Sequence, residues 1–329
     1  MFLYIIRRIL LVIPTLIVIS VISFIVIQLP PGDYLTTYIA TLSQSGQQLA
    51  QDEIAALRLQ YGLDQPIYVQ YFKWVWNMLH GDFGMSLEWQ RPVADLIGER
   101  LLLTVTLSFF TIIFTWLLAI PIGIYSATRQ YSIFDYLFTF FGFIGLGVPN
   151  FMLALILMWV AYSSLGMSVS GLFSPEFVDV PWSLARVIDM LKHLWIPIII
   201  LGLGGTAELV RIMRANLLDE LHKPYVETAR AKGVPERQLI FKYPVRVAIN
   251  PFISTIGWTL PALVSGSLIV SVVLSLPTAG PLLLRALMSQ DMYLAGTFLM
   301  LLSFLTVLGT LISDILLAWV DPRIRYEER

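Results

Sequence analysis

The sequence predicts an all-α, polytopic membrane protein with six transmembrane helices, and three observations carry that prediction. Hydrophobic residues make up 57% of the 329-residue chain and charged residues only 13%, about half the charged share of a soluble domain. Several apolar runs reach the roughly 20 residues of helix that cross a hydrocarbon core of about 30 Å. Lys and Arg concentrate in alternate connections between those runs, as the positive-inside rule requires. The net charge of −1 offers no field for nucleic acid. With no cysteine, disulfides, thiolate chemistry and cysteine metal sites are excluded.

The first span follows Arg7-Arg8 and covers Ile9–Leu29. It is longer than a signal-peptide apolar region and ends in Gln28-Leu29-Pro30-Pro31-Gly32-Asp33 without a small-x-small cleavage site, so it is expected to remain as an uncleaved anchor. Residues 31–100 are polar and helix-prone. Asp52–Tyr61 places Ile54, Leu57 and Tyr61 at helical spacing, Gly62–Pro66 turns the chain, and Ile67–Leu79 forms a second, aromatic-rich helix suited to an interface. Acidic residues outnumber basic ones here, in keeping with an extracytoplasmic segment.

The second span is Leu101–Tyr125 and the third about Tyr136–Tyr162, with Ser126–Asp135 as a short turn. Gly142, Gly145, Gly147 and Pro149 in the third lack the preceding strand and acidic partner of a dinucleotide loop; close helix packing or a break in the helix is expected instead. Ser163–His193 is an outer loop, Leu194–Val210 the fourth span, Phe252–Leu274 the fifth, Leu276–Met292 an outer segment with a partial re-entrant helix, and Leu294–Val320 the sixth. The chain thus divides into a tail with the first helix (1–30), an extracytoplasmic segment (31–100), a five-helix core (101–320) and a terminal tail (321–329). Six spans put both termini on one side. The inside segments then hold Arg7, Arg8, Arg129, Arg323, Arg325, Arg329 and the eight basic residues of one long loop, fourteen of the 21 Lys and Arg.

That loop, Arg211–Pro251, is the most charged stretch of the chain. Ala215–Leu221 extends the fourth span, Tyr225–Lys232 forms a short separate helix, Gly233 stops it by adopting positive φ, and Pro235 suits the start of the next. Small Thr228, Ala229 and Ala231 let another backbone approach, while Glu227, Arg230 and Lys232 supply charge. Two readings fit this pattern equally: a helix that docks in a cleft on a partner, or a solvated basic loop that obeys the positive-inside rule.

Catalytic chemistry is not written in the chain. No G-x-x-x-x-G-K-[ST] phosphate loop and no H-E-x-x-H occurs, and His80, His193 and His222 are too far apart in sequence to be a metal pair on one helix. No catalytic, cofactor-binding or metal-ligating residue is therefore assigned. Polar groups within or beside spans are costly and informative. Glu208 and Arg211, three apart on one helical face, either pair or snorkel to the interface. Asp314, inside the sixth span, is expected to find a structural partner on a neighbouring helix rather than to relay protons. A secondary transporter would show a repeated pair of broken helices with acidic residues at mid-membrane, and no convincing internal repeat is found.

Glu227-Thr-Ala-Arg-Ala-Lys-Gly233 followed eighteen positions later by Pro251 resembles the "EAA" cytoplasmic loop of ABC-importer permeases, in the variant of the dipeptide/oligopeptide/nickel family, with Thr228 in place of the first Ala. The resemblance extends along nearly the whole chain through Arg7-Arg8, Pro14-Thr15, Pro31-Gly32-Asp33, Gly62-Leu63-Asp64, Gly81-Asp82-Phe83-Gly84, Ser86, Asp314 and Asp321-Pro-Arg-Ile-Arg-Tyr326. It implies a type I ABC importer transmembrane domain in a bacterial or archaeal cytoplasmic membrane, importing peptides, or alternatively nickel or oligosaccharides. It further implies Tyr225, Glu227, Thr228, Ala229, Arg230, Ala231, Lys232 and Gly233 as the rod that couples to an ATPase. The implied partners are a second, unlike permease subunit, two ATPase subunits that bind the ATP and Mg, an extracytoplasmic substrate-binding protein and the lipid bilayer. No nucleic acid is implied.

Overall fold

The computed structural model describes residues 2–29, 35–36, 38–39, 51–62, 64–166, 170–178, 180–255 and 267–320. Its main helices are α1 (Phe2–Gln28), α2 (Gln51–Tyr61), α3 (Ile67–Leu79), α4 (Val93–Thr128), α5 (Ile133–Gly147), α6 (Asn150–Leu165), α7 (Leu184–Leu221), α8 (Pro224–Ala231), α9 (Glu236–Lys242), α10 (Pro244–Ala248), α11 (Leu268–Val273), α12 (Ala279–Met288) and α13 (Met292–Val320). Four of these, in α1, α4, α7 and α13, are long and apolar enough to cross a membrane by themselves. At 1.5 Å per residue the 38 residues of α7 run about 57 Å, far beyond a hydrocarbon core of about 30 Å. One unbroken rod therefore joins the apolar layer to the charged loop.

The third span departs from a single straight helix. α5 and α6 meet at a bend of 104°, where Val148 is extended with ψ 120° and Pro149 follows with φ −57°. Proline disfavours the α conformation of the residue before it, so the break lies at Val148-Pro149. The glycines N-terminal to it make close contact. A Cβ on Gly142 would stand 3.6 Å from that of Ala207, and one on Gly145 would stand 3.5 Å from the Leu203 carbonyl. The expected outer loop 163–193 is shorter than anticipated, because α6 continues to Leu165 and α7 starts at Leu184. Ser183 caps α7 by accepting from the Arg186 N–H at 3.3 Å, which places the fourth span's helix ten residues upstream of its apolar run.

The expected fifth span falls partly on residues 256–266, outside those described, with helix on either side at 250–255 and in α11. The terminal tail 321–329 and the Pro31-Gly32-Asp33 stretch also lie outside them. The outer segment does contain a helix, α12.

Two compact units emerge. In the unit built from Ile6–Thr104 and Thr278–Val307, the core gathers Phe24, Trp74, Ile97, Leu282 and Phe298. Ser20 and Tyr71 hydroxyls bond at 2.8 Å inside it. A Cβ on Gly296 would lie 2.9 Å from the Trp74 ring, so only glycine admits that indole. In the other unit, Met213, Leu217, Val245 and Phe252 pack together with Ala119, and Gly123 lets the Met213 side chain come within 2.5 Å of where a Cβ would stand. Ser313 of α13 donates to the Ile253 carbonyl at 2.7 Å. Much of the apolar surface points outward, including Phe140, Phe141 and Phe143 of α5 and Ile17, Ile22 and Ile25 of α1. That is the pattern of spans whose solvent is lipid or a neighbouring subunit.

Candidate functional site

The short helix α8 begins at Pro224, a residue whose fixed φ suits the first helical turn. It ends in a Schellman motif. Gly233 at φ +74° donates to the Arg230 carbonyl at 3.0 Å, and Val234 donates to the Ala229 carbonyl at 3.3 Å; the hydrophobic contact that accompanies this motif comes from Val234, which packs on the cluster of Val226, Ala229 and Leu239. A substituent at Gly233 would meet nothing within 4 Å. The glycine is thus required by its backbone conformation and not by space.

Only one side of α8 is packed. Val226 and Ala229 are buried against Leu239 of α9, with Val234, Ile240 and Tyr243 around them. Ala229, expected among the small residues offered to a partner, instead faces inward, because its spacing of three from Val226 puts both on the stripe that meets α9. Tyr225, Glu227, Thr228, Arg230, Ala231, Lys232 and Gly233 are all exposed. The outer face therefore presents an aromatic ring, a carboxylate, two cations and two small side chains with little between them and solvent. Tyr225 donates its hydroxyl to Glu220 at the end of α7, which pins the start of α8 to the long rod. Thr228 folds its hydroxyl back onto the Pro224 carbonyl at 2.8 Å, so it shows mainly its methyl group.

Arg230 is committed rather than free. Its guanidinium bonds Glu236 through Nη2 at 2.8 Å and Nε at 3.2 Å, a two-point fork onto one carboxylate. The hydrogen bond and attraction from Glu236 raise the Arg230 pKa further. The same bond holds the Glu236 carboxyl below its ordinary value. The pair closes the turn that Gly233 opens, and it leaves Glu227 and Lys232 as the charges available on the face. Beside the loop, Arg129, His222, Glu227, Arg230 and Phe241 line a groove of about 700 Å³ between the α4–α5 turn and the α8–α9 hairpin.

The other residues singled out from sequence behave differently. Glu208 and Arg211 form no ion pair, although both lie on α7. Arg211 is exposed and lines a separate cavity, while its neighbour one residue short of a turn later, Arg214, reaches across to Asp135 of α5 at 3.4 Å. Asp135 is buried and also accepts from the Tyr131 N–H at 3.0 Å; it is the polar residue that sequence reasoning missed. Its position in the first turn of a helix capped by Ser132 was readable, but its partner 79 residues away was not. Asp314 is half-buried in α13 and is not without a partner.

Comparison with known proteins is consistent along the chain. Residues 119–326 match the family described as binding-protein-dependent transport system inner membrane component, and residues 1–108 match that described as its N-terminal membrane component. The oligopeptide transport system permease protein AppB of Bacillus subtilis is 37% identical over 324 residues, covering 98% of this chain and 99% of that protein. The inner membrane ABC transporter permease protein YejB of Escherichia coli O157:H7 is 32% identical, with 99% of each chain covered. The dipeptide transport system permease protein DppB of Alkalihalophilus pseudofirmus is 30% identical over 98% of this chain and 99% of its own length. Among solved structures, the inward-facing MetNI methionine ABC transporter aligns with a TM-score of 0.50 at 19% identity, covering 69% of this chain and 96% of that one. That likeness concerns the fold.

Proposed function

From its membership of the binding-protein-dependent transport system inner membrane component family, to which this chain belongs, we propose that it is the permease subunit of an ABC importer for peptides. It is a multi-pass inner-membrane subunit with a helical transmembrane fold. The named peptide permeases among its relatives favour peptide cargo over nickel or oligosaccharide. ATP hydrolysis belongs to two separate ATPase subunits, which hold the ATP and Mg. A second, unlike permease completes the path, an extracytoplasmic binding protein delivers the cargo, and both termini lie in the cytoplasm, as the basic residues of the loop favour.

One observation carries the mechanism: α8 is packed on one face and bare on the other. Val226 and Ala229 fix the rod on α9, Tyr225 ties it to the end of α7, and the exposed Glu227, Thr228, Ala231 and Lys232 are left for a cleft on the ATPase. When the two ATPases close on ATP, the rods are drawn together. Because α7 is one continuous helix from loop to membrane, that displacement is carried into the spans as a rigid-body tilt, opening the cavity outward.

The test uses the absence of cysteine from the chain. In the assembled transporter, Thr228→Cys carrying a short thiol-reactive cross-linker is expected to capture an ATPase subunit, and ATP is expected to change the yield. A cysteine at the buried Ala229 is expected to react slowly. In proteoliposomes, the chain alone is expected to hydrolyse no ATP, and the complete complex with binding protein is expected to accumulate labelled peptide. Capture of no ATPase from Thr228→Cys, or peptide uptake by the lone chain on an ion gradient, overturns the reading.

A further inference from the structure

A second site lies away from α8, in the unit that holds α5 and α7. A cavity of about 440 Å³ opens between these helices and α4, within the range of small-molecule pockets of about 300–1,000 Å³. Its walls are apolar: Ile122, Phe138, Phe141, Leu203 and Val210 line it. Its other end is polar, with Tyr131, Asp135, Arg211 and Arg214.

The charges at that end do not cancel. Asp135 accepts from Arg214 at 3.4 Å, and so neutralises one guanidinium. Arg211 is exposed and has no carboxylate within ion-pair distance among the described residues. The Nε of Arg214 is buried without a hydrogen-bond partner. The site therefore carries about one unit of positive charge, with an unused donor on Arg214 and an unused acceptor on Asp135 Oδ1. Both guanidiniums sit where α7 leaves its apolar run, and Asp135 lies in the first turn of α5. The polar end consequently lies at the level of the membrane–water boundary and the walls within the hydrocarbon layer.

A ligand that matches must be an anion at the boundary joined to apolar chain in the membrane. Phosphate suits the planar, forked donors of arginine, and the acyl chain suits aromatic and branched walls. A peptide ammonium would have to face both guanidiniums, with Asp135 as the carboxylate there, its Oδ2 shared with Arg214 and its Oδ1 without a hydrogen-bond partner. We propose that the α4–α5–α7 cavity is a binding site for an anionic glycerophospholipid of the leaflet next to the charged loop, its phosphate on Arg211 and Arg214 and an acyl chain along Phe138, Phe141 and Leu203. Only the naming of that leaflet as the cytoplasmic one rests on the orientation proposed above. Basic pockets between spans on that side are attractive to anionic headgroups. The lipid would sit between α5 and the rod α7, and so tie membrane composition to the motion of the loop.

The experiment uses the complete transporter in nanodiscs of phosphatidylcholine with a graded fraction of phosphatidylglycerol, reading lipid retained after detergent exchange by native mass spectrometry. The expected result is one phosphatidylglycerol held per copy of this chain. Arg211→Gln is expected to weaken retention roughly tenfold or more, the loss of one charged hydrogen-bonding group, and Arg211→Lys to restore part of it. Thr139→Trp, from an exposed position on the cavity wall, is expected to block retention with the arginines intact. Glycerol 3-phosphate, which has the anion and no chain, is expected not to compete. Equal retention in Arg211→Gln and wild type, or displacement by glycerol 3-phosphate at lipid-like concentrations, sinks the proposal. So does a partner-permease helix filling the cavity in the assembled complex. Loss of peptide uptake with lipid retention intact in these membranes would tell against the transport reading instead.

Discussion

Asp291 and Glu227 are both acidic residues at helix starts, and the chain treats them in opposite ways. Asp291 is fully buried before α13. Its Oδ2 accepts from Ser86 Oγ at 2.5 Å and from the Leu87 and Glu88 N–H groups at 2.8 and 3.2 Å, and its Oδ1 accepts from Leu294 N–H at 3.1 Å. One side chain thus caps a span and clamps a loop 205 residues earlier. Glu227, in the first turn of α8, is exposed and spends its charge only as a field on Arg230. The difference teaches how to separate a structural acid from a functional one here. At Asp291, where the charge is buried, both carboxylate oxygens are given donors, since a buried unpaired group costs several kcal/mol. Where it is left in solvent at the end of a built rod, no such saturation is needed and the group remains available to a partner.

The hardest blow to this contrast falls on the clamp. Asp291→Leu orphans four donors at about 1–3 kcal/mol for each that stays buried, so the variant is expected to lose several kcal/mol and to yield little folded protein in detergent by size exclusion and tryptophan fluorescence. Asp291→Asn keeps an acceptor and should fall between. If Asp291→Leu folds with an unchanged melting temperature, the clamp is ornamental and the distinction fails.

A smaller loss is expected beneath the rod. Leu239→Ala removes a fully buried side chain from the α8–α9 core, at about 2–5 kcal/mol, but the damage should stay local. Proteolysis near Lys232 should quicken and transport should fall, while the spans melt as before. Next comes Gly233→Val. Positive φ costs an L residue about 1–2 kcal/mol, more for a β-branched one, and no neighbour obstructs the site. Membrane insertion should survive and peptide uptake should not, with Gly233→Asn close to wild type.

Asp291 and Glu236, a buried and an exposed carboxylate, differ in the sign of their pH dependence. Burial pushes the Asp291 carboxyl above its ordinary value despite its four donors. The stability linked to it is fully present below the unfolded carboxyl pKa and is lost as pH rises through the folded one. Glu236 is shifted the other way by the Arg230 bond, so its contribution is present above the unfolded pKa and is lost as pH falls through the folded value. Melting followed between pH 4 and pH 8 should show Asp291→Asn flattening the decline on the alkaline side. The smallest effect of all is expected from Glu236→Gln, which breaks an exposed pair and should leave the melting temperature unmoved while loosening the α8–α9 turn in hydrogen exchange.

Much of this was legible without a structure. Ile67–Leu79 was bounded to the residue, since Pro66 fixes its start and an aromatic stripe fills one face. Gly233 was recognisable as a stop from the run of helix formers before it. The loop stood out because charge is scarce elsewhere. What escaped was the direction of individual side chains. Thr228, Ala229 and Ala231 look alike as small residues, yet only Ala229 turns inward, and Glu208 and Arg211 share one helical face, yet they do not pair, while Arg214 crosses to Asp135. The break at Val148-Pro149 was half visible, the proline marking it while the size of the bend depended on where α5 rests on α7.

The membrane class, the apolar cores of most spans, the charged loop and the turn that ends its rod could be read from the chain alone, because these depend on composition and on neighbours three or four residues apart, which the chain carries wherever it goes. The tertiary structure alone decided the Asp291 clamp, the Asp135–Arg214 pair and the cavity beside Arg211. Each joins residues between 79 and 205 positions apart, and periodicity holds no record of which helix faces which. That choice is made only when whole helices pack, and the polar groups then take the partners that packing brings within reach.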